Sequence, residues 1–157
     1  MGLTTDIIFV KALRADADLM AKLAAKDVYN TAIALPDEDA ENAPLPYVIV
    51  TFDGLTNDES TKDDYESTID KVNIGVEIAA RTREELGALA KQVRSQVRRF
   101  FMNAVETDED FDMIPLDYQF TASQVNYDQM KPCHWQILNY QCDVRNSIME
   151  DDEQEND

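Results

Sequence analysis

Between Val72 and Phe101 the hydrophobic period changes within three residues, and that change constrains the fold more than any other feature of the chain. Val72, Ile74, Val76, Ile78 and Ala80 alternate with Asn73, Gly75, Glu77 and Ala79. A period of two with one apolar face marks a strand with one buried side. Thr82-Arg83-Glu84-Glu85 follows at once in the form of a capping box, in which hydroxyl and carboxylate satisfy orphan N–H groups, so a helix must begin there. Leu86, Leu89, Ala90, Val93, Val97, Phe100 and Phe101 then recur at helical spacing, giving one stripe to lay on the sheet. Gly87 costs about 1 kcal/mol relative to alanine, which the cap and the stripe offset.

A second strand is written in "APLPYVIVTFDG". Pro44 and Pro46 fix φ and bias their predecessors toward extended backbone, so the strand starts at Tyr47. Pro46 belongs at a strand's first position or on an edge, because it offers no ladder N–H. Tyr47 to Phe52 is apolar or β-branched throughout, which predicts cover on both faces or a place at an intersubunit surface.

Ahead of these, Thr4 or Thr5 is placed to cap a helix through Leu13, broken near Ala15 and restarted by Asp16 or Asp18. Val28 to Leu35 reads as a short strand. Asp53 to Asp70 reads as a long acidic hairpin loop. Leu116 to Val125 and Trp135 to Val144 read as a closing strand pair joined by "NYDQMKPC". The sum is an α+β fold, a mainly antiparallel sheet of four to five strands with two helices on one face. One domain is expected over residues 1–145, with 146–157 an acidic tail too charged to pack.

The 157 residues include 32 acidic and 14 basic side chains, a formal charge of -18. That balance argues against holding nucleic acid through its phosphates, though it permits DNA to pass nearby without sticking. There is no charged-then-apolar leader, no apolar run of membrane-spanning length and no lipidation signal, so a soluble intracellular protein is expected. Two cysteines are too few for a disulfide framework.

Catalytic signatures are absent from the places where they are easiest to see. The four glycines form no phosphate loop. Cys133 and His134 adjoin on a strand, so their side chains point to opposite faces; Cys142 is eight residues, roughly 26 Å, further along. A thiol-imidazole dyad and a zinc site both fail on that geometry. Asp108, Asp110 and Asp112 open like a calcium loop, but Met113 and Gln119 stand where an EF-hand needs Gly and Glu. No catalytic residue, cofactor site or metal site is assigned, and no enzymatic activity is expected. A small metal-dependent hydrolase using the acidic loops is the contrasting reading.

Six of the 14 basic residues lie on or beside the second helix, and Lys91, Arg94 and Arg98 share a face at i, i+3 and i+7. With Arg99 they form a candidate subunit interface, a basic ridge that would meet an acidic loop of a neighbouring copy head to tail. Asp58, Glu59, Asp63 and Asp64 mark a candidate mobile loop that orders on a partner.

With "LRADADLMAKL", "DVYNTAIALP", "APLPYVIV" and "AARTREELGALAKQVRSQVRRFF" in this order, the chain resembles the tail-completion or tail-terminator family of long-tailed bacteriophages and prophages over about residues 5 to 145. The resemblance implies a structural subunit, a homo-oligomer forming a hexameric ring on the head-proximal end of the tail tube. Such a ring stops tube polymerisation and offers the surface for joining the head. Its partners would be the tail tube protein and a head-tail connector protein, with DNA passing through and no membrane. Its place would be the host bacterial cytoplasm during assembly and then the virion tail. A head-tail adaptor or stopper is the alternative within that class.

Overall fold

The computed structural model describes residues 2–33, 43–57, 68–104 and 117–146. After a 3-10 turn at Gly2–Thr4 come α1 (Thr5–Arg14), α2 (Ala17–Lys22), β1 (Tyr29–Asn30), β2 (Tyr47–Thr56) and β3 (Thr68–Ala80). Then follow α3 (Arg83–Ala104), β4 (Asp117–Ala122), β5 (Asn126–Asp128) and β6 (Cys133–Asn146). The six strands form one sheet in the order β1-β2-β3-β6-β4, with β5 also on β6. Only the β1–β2 pair is parallel, so the α+β expectation holds.

The centre is the β3–β6 ladder, in register from Thr68 opposite Asn146 to Ala80 opposite His134. On its helix side Val72, Ile74, Val76, Ile78 and Ala80 are buried beside Leu138, Tyr140, Cys142 and Val144. From α3, Leu86, Leu89, Val93, Val97 and Phe101 close over them. Each such aliphatic side chain contributes about 1.5–3 kcal/mol on full burial, which sets the face α3 must present. The cap forms as the sequence requires: the Glu85 N–H donates to Thr82 Oγ1 at 3.1 Å. Glu85 Oε1 in return accepts from the Arg81 N–H at 3.2 Å.

At the amino terminus the helix does break at Ala15, and Asp16 caps α2 by accepting from the Leu19 N–H. Thr4 stands at the N-cap of α1 but makes no side-chain capping bond, and Thr5 is buried. Phe9 packs α1 inward, its ring 5.1 Å from Phe101 and 5.0 Å from Tyr140. Gln92 joins α3 to α2: its Nε2 donates to Asp18 at 2.9 Å and its Oε1 accepts from Lys22 at 2.8 Å. Gln96, absent from the apolar stripe, is buried and donates to the Ala12 carbonyl at 2.9 Å. That carbonyl belongs to the last turn of α1, where backbone acceptors lack partners within the helix.

Several boundaries differ from those read in the sequence, among them β4, which is Asp117–Ala122 rather than Leu116 to Val125, and the start of β6 at Cys133 rather than Trp135. The strand expected over Val28 to Leu35 is two residues long, Tyr29–Asn30, and Thr31 leaves it with φ at 79°. The loop expected over Asp53 to Asp70 is shortened from both ends, since β2 continues to Thr56 and β3 begins at Thr68. A bulge at Asp53 and the positive φ of Gly54 carry β2 past the acidic residue. The joining segment "NYDQMKPC" itself contributes β5 to the sheet, end to end with β4 along β6. Finally, β6 runs on to Asn146, one residue into the expected tail, and 147–157 lies outside the described residues. Tyr47 starts its strand directly after Pro46, as the proline pair implies.

Because Gln96 fills an otherwise orphaned carbonyl, Gln96→Ala should lower stability by about 1–3 kcal/mol in urea denaturation, while Lys91→Ala stays within about 0.5 kcal/mol of the parent.

Candidate basic interface

Lys91, Arg94 and Arg98 project from the exposed side of α3, and the structure brings all three to one groove. The cap at Thr82 and the buried stripe set the helix's rotation, and the i, i+3, i+7 spacing turns these residues toward the sheet edge. The opposite wall and floor come from Phe120 and Ala122 on β4 and from Gln136 and Leu138 on β6. The groove holds about 400 Å³, cationic at its rim and largely apolar at its floor. Arg94 lies over the Phe120 ring at 4.1 Å, an arrangement that fixes the guanidinium while leaving its N–H donors available. Arg99 is exposed but does not line the groove, one residue being a turn of about 100° around the helix. Among the described residues no carboxylate pairs with any of these four cations. The ion pairs present are elsewhere, Arg14 with Asp27 at 2.8 Å and Lys22 with Asp18 at 3.2 Å. In keeping with those contacts, Asp27 titrates below the usual carboxylate range because Arg14 hydrogen-bonds it, and Asp18 does so chiefly through Gln92.

Among the described residues the other face of the sheet bears no helix, and its charge is opposite. Register places Lys71, Asp143 and Asp117 in one row and Glu77 between Ile49 and Ile137 in another. Asp53 stands over Gly75, where an added Cβ would lie 2.5 Å from Asp53 Oδ2; the glycine makes room for the carboxylate. The Tyr47 hydroxyl donates to Glu77 Oε2 at 3.3 Å. Hollows of about 470 Å³ and 250 Å³ on this face both include Asp53, and the smaller includes Glu77. Ile49 is buried here between its sheet neighbours although it faces away from the helices, while Tyr47 and Thr51 on the same face are half-buried, so the described elements cover β2 fully on the helix side alone. The acidic face is assembled from single residues of four strands, so no run in the sequence announces it; strand parity is the signal that would have found it.

The remaining candidates separate. Cys133 pairs with Asp128 and Cys142 with Val72, at opposite ends of β6 and on opposite faces. The His134 ring packs against Tyr127, tilted by 52° with the centroids 5.0 Å apart. Both thiols are free and buried, and burial pushes their acidity down, Cys142 to a pKa of about 12. Asp58, Glu59, Asp63 and Asp64, expected to form a loop that orders on a partner, and the calcium-like Asp108, Asp110 and Asp112 lie outside the described residues. Among the described residues no group of three metal-ligating side chains converges, and no helix is long and apolar enough to cross a membrane. The groove offers three cations, the chemistry of binding negative charge; the one amide that lines it, Gln136, donates to the Ser123 carbonyl at 2.9 Å.

The thiols give a pH dependence with a definite sign. A raised folded-state pKa means the unfolded chain releases its thiol protons first, so this contribution is complete below pH 9.0 and lost as pH climbs toward 12. Urea midpoints should fall with rising pH above about 9, by up to about 1.4 kcal/mol per pH unit for one thiol, and Cys142→Val should reduce that slope.

No family model matches the chain, and no curated protein matches it. Among solved structures its fold is similar to that of a chain from the virion of a native gene transfer agent particle, with a TM-score of 0.53 at 15% identity. The likeness covers 88% of this chain and 92% of that one, so the two share a fold over most of both chains.

Proposed function

We propose that this protein is a structural subunit of a phage or prophage particle that caps the head-proximal end of the tail tube as a ring, ending tube polymerisation and presenting the head-joining surface. The observation that carries the reading is the shared fold with a virion chain of a gene transfer agent over most of both chains. The sequence resemblance narrows it to tail completion and supplies the hexamer. Its partners are then the tail tube protein and a connector protein, and its work is done by interfaces rather than by a reaction centre.

The segregation of charge across the sheet supports assembly by like subunits. The unpaired cations Lys91, Arg94 and Arg98 lie on the helix side, while Asp53, Glu77, Asp117 and Asp143 lie on the other. A surface that meets its complement on the far side of the next copy makes a heterologous contact, and such contacts close into rings when the rotation permits. An acidic lining would let DNA pass without adhering.

Native mass spectrometry of the full chain should show a closed ring, and negative-stain micrographs should show that ring at one end of polymerised tail tubes. Arg94→Glu with Arg98→Glu should abolish the ring while circular dichroism stays unchanged. Tubes that elongate equally with and without the protein, and carry no ring at either end, would overturn the capping function.

A further inference from the structure

We infer that α3 of one copy lies on the helix-free sheet face of the next, with Arg94 and Arg98 seated against the second copy's Glu77 and Asp53. The inference rests on the reading of this chain as a subunit that assembles with itself, and it gives that contact its residues.

Each surface holds what the other lacks. Among the described residues Lys91, Arg94 and Arg98 have no carboxylate partner, and Asp53 and Glu77 have no cationic one. Thr51 Oγ1 donates to Asp53 Oδ1 at 2.9 Å and the Tyr47 hydroxyl donates to Glu77, so each carboxylate keeps acceptor capacity for a guanidinium. Both carboxylates line one hollow of about 250 Å³, whose walls include Ile49 and Ile137. An arginine entering it meets charge at its tip and apolar surface along its stem. Spacing agrees with charge. Arg94 and Arg98 stand four residues apart, roughly 6 Å along the helix. Glu77 lies two residues from Gly75, over which Asp53 stands, or roughly 7 Å along β3.

The surfaces also match in shape. Gly75 stands opposite Thr51 and Asn139, and Asn139 opposite Thr121, a row of short side chains that keeps the sheet face low at its centre. On α3, Ala88 and Ser95 lie three residues before and four after Lys91, and both are exposed. Their small size lets the helix approach a flat surface while the longer cations reach past them. The second copy's sheet then gains on its open face the helix layer that its other face already has. Any acidic ligand of the ridge alone, whether nucleic acid or another stretch of this chain, leaves Asp53 and Glu77 without a cation; a second copy satisfies both surfaces at once.

Paired charge reversal tests the contact. Arg94→Glu with Arg98→Glu gives a chain with an acidic ridge, and Glu77→Lys with Asp53→Asn gives one whose hollow carries a cation. Sedimentation of the full chains at about 0.15 M salt, where a Debye length of about 8 Å screens the long-range repulsion between chains of charge -18, should show the parent associated and each variant monomeric. An equimolar mixture of the two variants should associate again and hold both chains in equal numbers, because reversed ridge then meets reversed face. The isosteric pair Glu77→Gln with Asp53→Asn should weaken association about fivefold or more, and it decides the matter if the lysine variant fails to fold. A parent that stays monomeric, a variant of either surface that associates as the parent does, or a mixture of folded variants that stays apart would overturn the contact. Capping is judged separately at tube ends: capped tubes without complementation remove this contact alone, and complementation without capped tubes removes the capping function alone.

Discussion

One-sided burial of β3 is the constraint on which the rest of the structure depends. Its inward residues need an apolar cover, and α3 begins three residues after β3 ends, so the helix folds back over its own strand. Once α3 lies there, β2 and β6 complete the sheet on either side, and α1 fills the remaining part of the same face through Phe9. The other surface of β3 is thereby left to side chains of the sheet alone. Both the covered and the uncovered faces follow from a single alternation, Val72 to Ala80.

Where local pattern and tertiary demand coincide, the fold was legible from the residues. The period change at Ala80, the capping box at Thr82, the break at Ala15 and the start at Tyr47 are each set by a few neighbouring side chains, and each stands where the sequence put it. Segments whose conformation depends on distant partners were not. Asn126–Asp128 becomes a strand only because β6 offers an edge beyond the end of β4, and β2 outlasts its apolar run because Asp53 can bulge above a glycine on β3. Gln96 shows the same limit in the core: a polar residue on a buried face looks misplaced until the Ala12 carbonyl is found opposite.

The candidate interface divides along similar lines. Helical spacing alone joined Lys91, Arg94 and Arg98 and could not join Arg99 to them, yet it gave no sign of the wall opposite. That wall is Phe120 under Arg94, contributed by a strand more than twenty residues away in sequence. The acidic counterpart was sought in contiguous runs, whereas the described carboxylates are gathered by register from separate strands. Charge runs are visible in one dimension; charged faces are a product of pairing.

Among the described residues, the basic ridge on the helix side and the carboxylates gathered on the other face give this part of the subunit a charge separation along the sheet normal. Its two poles are separated by the thickness of one helix layer on one sheet, roughly 10 Å, comparable with the Debye length at physiological ionic strength. Two copies approaching within that range experience a torque before any side chains touch. Against the general repulsion of two chains of charge -18, face-to-face and back-to-back encounters are opposed most, and stacked encounters with parallel moments least. Orientation would thus be selected in the encounter, leaving shape to select only among arrangements that already point the same way.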